Sequence, residues 1–249
     1  MGSLSQTAAA RPVRVFTGRN SLLDRYFYFA MSLLAAVAVV WGFGHTIDQS
    51  LFHPAVPRPR ILWFHGAVFS AWILFFILQS ALVRTRNVKL HRSLGWFGAG
   101  LGVVMVPLGI ATAMVMIHFE TYQLHRTGRY AFFIVPCYDV LAFGACFGLA
   151  VLWRKNPELH RRLVFVAACA LLSAAFARFD VRLRGSGLFY VCVDLAVLVG
   201  VLRDLLVNRR VHRVYLVALP CFIAAQCAVV YIWHTGAQWW VGFAKAIIG

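Results

Sequence analysis

The chain has 249 residues, of which 61% are hydrophobic and only 13% charged, with mean hydropathy +0.76. Soluble domains are closer to half apolar and a quarter charged, so a soluble globular fold is excluded. The net charge of +16 does not indicate nucleic acid, because the basic residues sit at the ends of apolar runs and form no continuous face.

Residues 1–20 are small, polar and basic and are expected to form a flexible cytoplasmic arm. Ser21-Leu22-Leu23-Asp24 has the spacing of a capping box, which predicts a helix start there. The first apolar span covers Tyr26–Phe43 and lacks the small-residue cleavage site of a secretory signal, so it is read as an uncleaved helix. The linker HTIDQSLFHPAVPRPR, with Pro54, Pro57 and Pro59, is expected to be stiff and extended. Further spans follow at 61–83, 95–117, 130–153, 162–178, 187–207 and 213–234, near the roughly 20 residues that a bilayer requires. The predicted architecture is an all-α polytopic membrane bundle of seven transmembrane helices over 21–240, closed by a short outer tail, 241–249.

Basic residues orient this bundle. One side holds Arg11, Arg14, Arg19, Arg25, Arg84, Arg86, Lys89, Arg92, Arg154, Lys155, Arg161, Arg162, Arg203, Arg209, Arg210 and Arg213, sixteen of the twenty-four Lys and Arg. That excess places the N-terminus in the cytoplasm and the C-terminus outside. Gly98 and Gly102, like Gly144 and Gly148, form G-x-x-x-G faces for close packing, within the chain or between copies in a homo-oligomer. The six cysteines form no C-x-x-C and lie in apolar runs, where they act as small hydrophobes.

Polar residues inside the spans are the candidates for chemistry. His65, Asp139, Asp194 and Gln226 come from four different spans and fall between the outer surface and the midplane. Together they suggest a ligand or proton pocket. A lone ionised carboxylate is too costly there, so each aspartate must be protonated, paired or hydrated. The alternative is two unrelated acids, each satisfied locally.

A second pattern is the repeated His-Arg phrase: His91-Arg92, His160-Arg161 and His212-Arg213 each open an apolar span from the cytoplasmic side. Helix N-termini with arginines suit a phosphate or an anionic lipid headgroup. Separate topology anchors on the membrane surface account for the arginines equally well, though not for the histidines.

On the other side, His45-x2-Asp48-x4-His53 and His118-x-Glu120-x4-His125 match no recognised metal motif, so no metal site is assigned. Haem b needs two facing histidines at matching depth, and His65 with His45, His118 or His234 is the set that would have to supply them. No lysine falls within the seventh span and no H-x-x-x-H occurs late in the chain, which excludes the retinal-binding and zinc-hydrolase types of seven-helix protein.

The runs FHGAVFSAWILFFILQSALV and LHRSLGWFGAGLGVV within 64–104, followed by RKNPELHRRLVFVA at 154–167, resemble an uncharacterised family of bacterial multi-pass membrane proteins. The resemblance covers roughly residues 25–215 and implies a bacterial inner-membrane protein without implying an activity. His65-Gly66 and His91-Arg92 are also similar, more distantly, to a bacterial membrane domain of unknown function. The expected function is small-ligand or proton-coupled binding or transport through the His65, Asp139, Asp194 and Gln226 pocket. The alternatives are a haem- or metal-dependent membrane redox protein and an accessory subunit without a ligand.

Overall fold

The computed structural model describes residues 18–249, with side chains from Leu22 onward; among these residues every regular element is a helix. Most of the expected N-terminal arm and the Ser21 side chain lie outside the described residues. The helices are α1 (Gly18–Gly44), α2 (Ile61–Arg84), α3 (Val88–Tyr122), α4 (Arg129–Phe132), α5 (Ile134–Leu152) and α6 (Pro157–Leu171), then α7 (Ser173–Phe176), α8 (Val181–Ser186), α9 (Phe189–Asn208), α10 (Arg213–Thr235) and α11 (Gln238–Ile248). Six stretches are long and apolar enough to cross a membrane: α1, α2, α3, the α4–α5 pair, the α6–α7 pair and α10. The protein is therefore a multi-pass membrane protein of helical architecture. Helix α9 is 20 residues long but carries Asp194, Arg203 and Asp204, which sets it apart from the other six.

The boundaries show what fixes each element. The span expected at 162–178 begins at Pro157, because Asn156 Oδ1 accepts hydrogen bonds from the Glu158 and Leu159 amides at 3.1 and 3.3 Å. Proline at the first helical position completes this start, since its missing N–H would have had no partner. Leu172 then separates α6 from α7. The linker after α1 is not wholly extended: Asp48–Phe52 forms a π-helical turn ahead of the prolines. The residues read as an outer tail lie within α11, which packs on α3 and α4 with Ala244 buried beneath it.

The least apolar span turns out to be the central one. From Leu163 to Ala170 every side chain of α6 except Val164 is buried, and Phe165, Val166 and Cys169 join the main core with Trp72, Phe143, Tyr190 and Tyr215. A helix enclosed by protein has no lipid-facing side to cover with large apolar residues, whereas Leu74, Val103, Leu152 and Leu216 on the outer helices are exposed to lipid. Side chains at Gly98, Gly102 and Gly144 would strike Phe75, Phe147 and Val106 respectively, so three of the four G-x-x-x-G glycines are filled from within the chain. Gly200 does the same for Tyr215: a Cβ there would lie 2.5 Å from the Tyr215 hydroxyl.

One end of the bundle is closed by charges. Arg162 and Arg203 are each 1% exposed and Asp204 is fully buried. Arg162 grips Asp204 with two parallel bonds, Nε to Oδ2 at 2.8 Å and Nη2 to Oδ1 at 2.7 Å. Its third nitrogen donates to the Glu158 carboxylate at 2.6 Å. Arg203 bonds Asp204 at 2.6 Å and is ion-paired with Asp24 of α1, which also takes Arg161 at 3.3 Å. Asn208 Nδ2 and the His212 amide complete the shell of Asp204 at 3.2 and 3.3 Å. Three arginines thus face three carboxylates, and α1, α6, α9 and the start of α10 are tied at one point. Arginines read from the sequence as topology anchors are here partners in a buried network.

Removing one member of such a network leaves uncompensated buried charge, a loss of roughly 3–5 kcal/mol. Asp204→Asn is therefore expected to lower the thermal unfolding temperature of the detergent-solubilised protein far more than Arg209→Gln or Arg210→Gln, whose side chains are exposed. The cap of α10 carries its own pH dependence. His212 Nδ1 accepts the Val214 amide at 3.2 Å, and burial first, then Arg162, hold His212 below the usual imidazole value of 6.5. This contribution is fully present above pH 6.5 and is lost as pH falls through the depressed value. Melting curves of His212→Asn, which keeps the cap, should fall less steeply with acidification than those of the wild type.

Candidate functional site

Asp139 is the best-held carboxylate inside the membrane segments. Ser173 Oγ donates to its Oδ2 at 2.6 Å and Tyr190 Oη donates to its Oδ1 at 3.0 Å, so α5 is bonded to α7 and α9 at this level. Ser173 and Tyr190 are themselves buried. Tyr138, the residue before Asp139, packs edge-on against Tyr190 with ring centroids 5.6 Å apart and against Phe222 of α10 at 6.5 Å.

Gln226 of α10 lies within reach of both Tyr138 and Asp194 of α9. Yet Tyr138 Oη, Asp194 Oδ1 and Gln226 Nε2 are buried without a hydrogen-bond partner among the described residues. Asp139 is therefore satisfied by protein, and beside it sit three polar atoms that face one another, Gln226 between Tyr138 and Asp194, without a hydrogen bond of standard geometry. Unpaired buried polar groups of this kind are uncommon and need a partner such as water, an ion or a ligand.

His65 does not join this layer. It stacks on Phe69 at 4.0 Å, its Nδ1 is buried without a partner, and the charge that acts on it is that of Arg178. It hydrogen-bonds neither aspartate. The pocket expected from four residues thus divides into Asp139, Asp194 and Gln226 on one hand and His65 on the other. Ser173, Tyr138 and Tyr190 were missed because hydroxyls in apolar runs resemble ordinary packing. Tyr190 and Asp194, four apart on one helix face, were the available signal.

The three His-Arg phrases do not meet at one place. His91 and His160 face each other with centroids 6.2 Å apart, and His160 Nδ1 contacts the Ala150 carbonyl at 2.9 Å. His212 instead caps α10 beside Asp204, while Arg92 and Arg213 are exposed. Arg161 is spent on Asp24 and Glu158. The histidine that topology left unexplained is, at 212, a helix cap.

The remaining histidines also stay apart. His53 pairs with Asp48 at 2.7 Å, His45 bonds the Trp41 carbonyl at 2.8 Å, and His118 and His234 lie on Tyr122 and Trp233. Glu120 is engaged by Arg126 at 3.7 Å and by Arg129. Among the described residues no three His, Cys, Asp or Glu side chains gather at metal-ligand spacing. No protein-family model, no curated protein and no solved structure matches this chain.

Each hydroxyl on Asp139 is a charge-assisted or strong neutral donor, so Ser173→Ala and Tyr190→Phe are each expected to destabilise the protein by about 1–3 kcal/mol. Because both donors serve one carboxylate, the double variant should deviate from additivity, which a thermal-unfolding double-mutant cycle measures.

Proposed function

We propose that the protein is a seven-span inner-membrane protein, N-terminus in the cytoplasm, that binds a small ligand or a proton at the Asp139 layer. The orientation rests on the two-to-one excess of basic residues at the Asp204 end. The span added to the other six is α9, sixth in chain order: its Arg203 and Asp204 are neutralised within the charge network, which leaves Asp194 as the one charge it carries into the membrane.

The observation that carries the functional reading is the pairing of a satisfied acid with unsatisfied neighbours. Asp139 is hydrogen-bonded on both oxygens, and Tyr138 Oη, Asp194 Oδ1 and Gln226 Nε2 beside it, though close to one another, make no hydrogen bond of standard geometry. A purely structural polar knot would close its own bonds. Open ones, on α5, α9 and α10, supply donors and acceptors from three helices that a ligand or a hydrated proton would complete.

The test is proton movement. Purified protein reconstituted into liposomes with a trapped pH dye is expected to carry protons inward on an external acid pulse. Asp139→Asn and Asp194→Asn are expected to slow that movement at least about tenfold, the loss of roughly 1.4 kcal/mol of barrier stabilisation. Equal rates in empty liposomes, wild type and both variants would remove the proton reading. A cytoplasm-active reporter fused after Asn208 and silent when fused after Gly128 tests the orientation.

A further inference from the structure

Helix α11 has 11 residues. That is about 16 Å of helix, roughly half of what the hydrocarbon core of a bilayer demands. It starts just after α10, a membrane-spanning helix, and the chain turns between them at Gly236, whose φ of 59° lies in the left-handed region. The Ile232 carbonyl accepts the Ala237 amide at 3.3 Å and fixes that turn. The far end is fastened too: the Gly249 carbonyl accepts the Tyr122 hydroxyl at 2.8 Å and the Tyr130 hydroxyl at 3.2 Å. Between these points Ala244 is fully buried in a cluster with Ile117 and Phe133, and Trp240 stacks on Phe133 with ring centroids 5.8 Å apart. Helix α11 is therefore fixed to the bundle near the ends of α3 and α10.

At about 100° per residue, its side chains divide into three faces, each roughly a third of the circumference. Trp240, Ala244 and Ile248 form the face that packs on the bundle. Trp239, Phe243, Ala246 and Ile247 form the second, and all of them are exposed, Trp239 at 65% and Phe243 at 50%. Gln238, Gly242 and Lys245 form the third, so both polar side chains of the helix share one side. A helix resting on protein with water over the rest would need two faces, one apolar and one polar. The free surface of α11 is itself split, with an apolar sector between the bundle and the polar side.

We propose that α11 is an interfacial helix, lying in the membrane surface where protein, lipid and water meet. Trp239, Phe243 and Ile247 sit among the headgroups and first acyl carbons, Trp240, Ala244 and Ile248 against the bundle, and Gln238 and Lys245 in water. Lipid is the occupant because the sector continues a surface that already faces it: Tyr231, in the last turns of α10, is 69% exposed. A second copy of the chain fits less well, since these few side chains fall far short of the roughly 20–30 residues a side that a stable protein interface uses. The assignment holds on whichever side of the membrane α11 lies, and it is separate from the Asp139 layer.

Photo-crosslinking of the full-length chain in vesicles of phosphatidylcholine and phosphatidylglycerol tests this. Phe243→benzoylphenylalanine, whose ketone attacks neighbouring C–H bonds under near-ultraviolet light, is compared with Lys245→benzoylphenylalanine on the polar face. The expected result is a chain heavier by one phospholipid for the variant at Phe243, and loss of that adduct for the variant at Lys245. Absence of a phospholipid adduct at Phe243 overturns the proposal, as does an equal yield at the two positions, since the faces are then not sorted between lipid and water. A product of two chains joined through position 243 also overturns it, because a second copy then covers the sector. Should the Phe243 variant fail to fold in a melting assay, Trp239→benzoylphenylalanine decides by the same masses.

Discussion

The bidentate pair between Arg162 and Asp204 is the constraint on which the rest of the bundle hangs. Two charges with almost no exposure are tolerable only if each is matched, and here the match extends to Arg203, Asp24, Arg161 and Glu158. Because these groups come from α1, α6 and α9, the ends of three helices are held at one point. The central position of α6 follows from this, and so does the burial of the modestly apolar Leu163–Ala170 run. Only eight acids occur in the chain against twenty-four Lys and Arg, and three of the eight are committed to this cluster. The remaining arginines and lysines at this end are thereby left without acids from this cluster.

Two kinds of polar layer are built by different means. At the Asp204 end, arginine forks and carboxylates saturate one another, and Asp204 accepts from Arg162, Arg203, Asn208 and the His212 amide. In the Asp139 layer the donors are hydroxyls, which bond a carboxylic acid or a carboxylate alike. The first arrangement locks a charge state and a geometry. The second keeps its hydrogen bonds in either protonation state, so it does not lock a charge state as the first does.

Apolar runs made the helical class and most span positions readable, since a stretch of about 20 apolar residues has little other use. Boundaries were less readable where polar residues belong to the helix: the Val88–Gly95 turns of α3 and the Pro157–Arg161 turn of α6 look like loop by hydropathy. Asp139, Asp194 and Gln226 were visible as polar interruptions at similar depth in three spans. The partition of His65 away from them was not, because depth along a helix does not say which way a side chain points. Likewise Arg162 and Arg203 carried the charge that topology demands, and nothing in a charge count distinguishes a surface arginine from one gripping Asp204. That distinction arises from contacts 42 and more residues apart.

The pairing of Asp24 with Arg161 and Arg203 has a consequence for how the chain is made. Asp24 belongs to α1, and its partners follow 137 residues or more later in the chain. Until α6 and α9 have been synthesised, α1 has α2 to pack on but lacks the arginines that answer Asp24. The charge network at this end can therefore close only once Arg203 has been made, far along the chain from the helix it helps to hold.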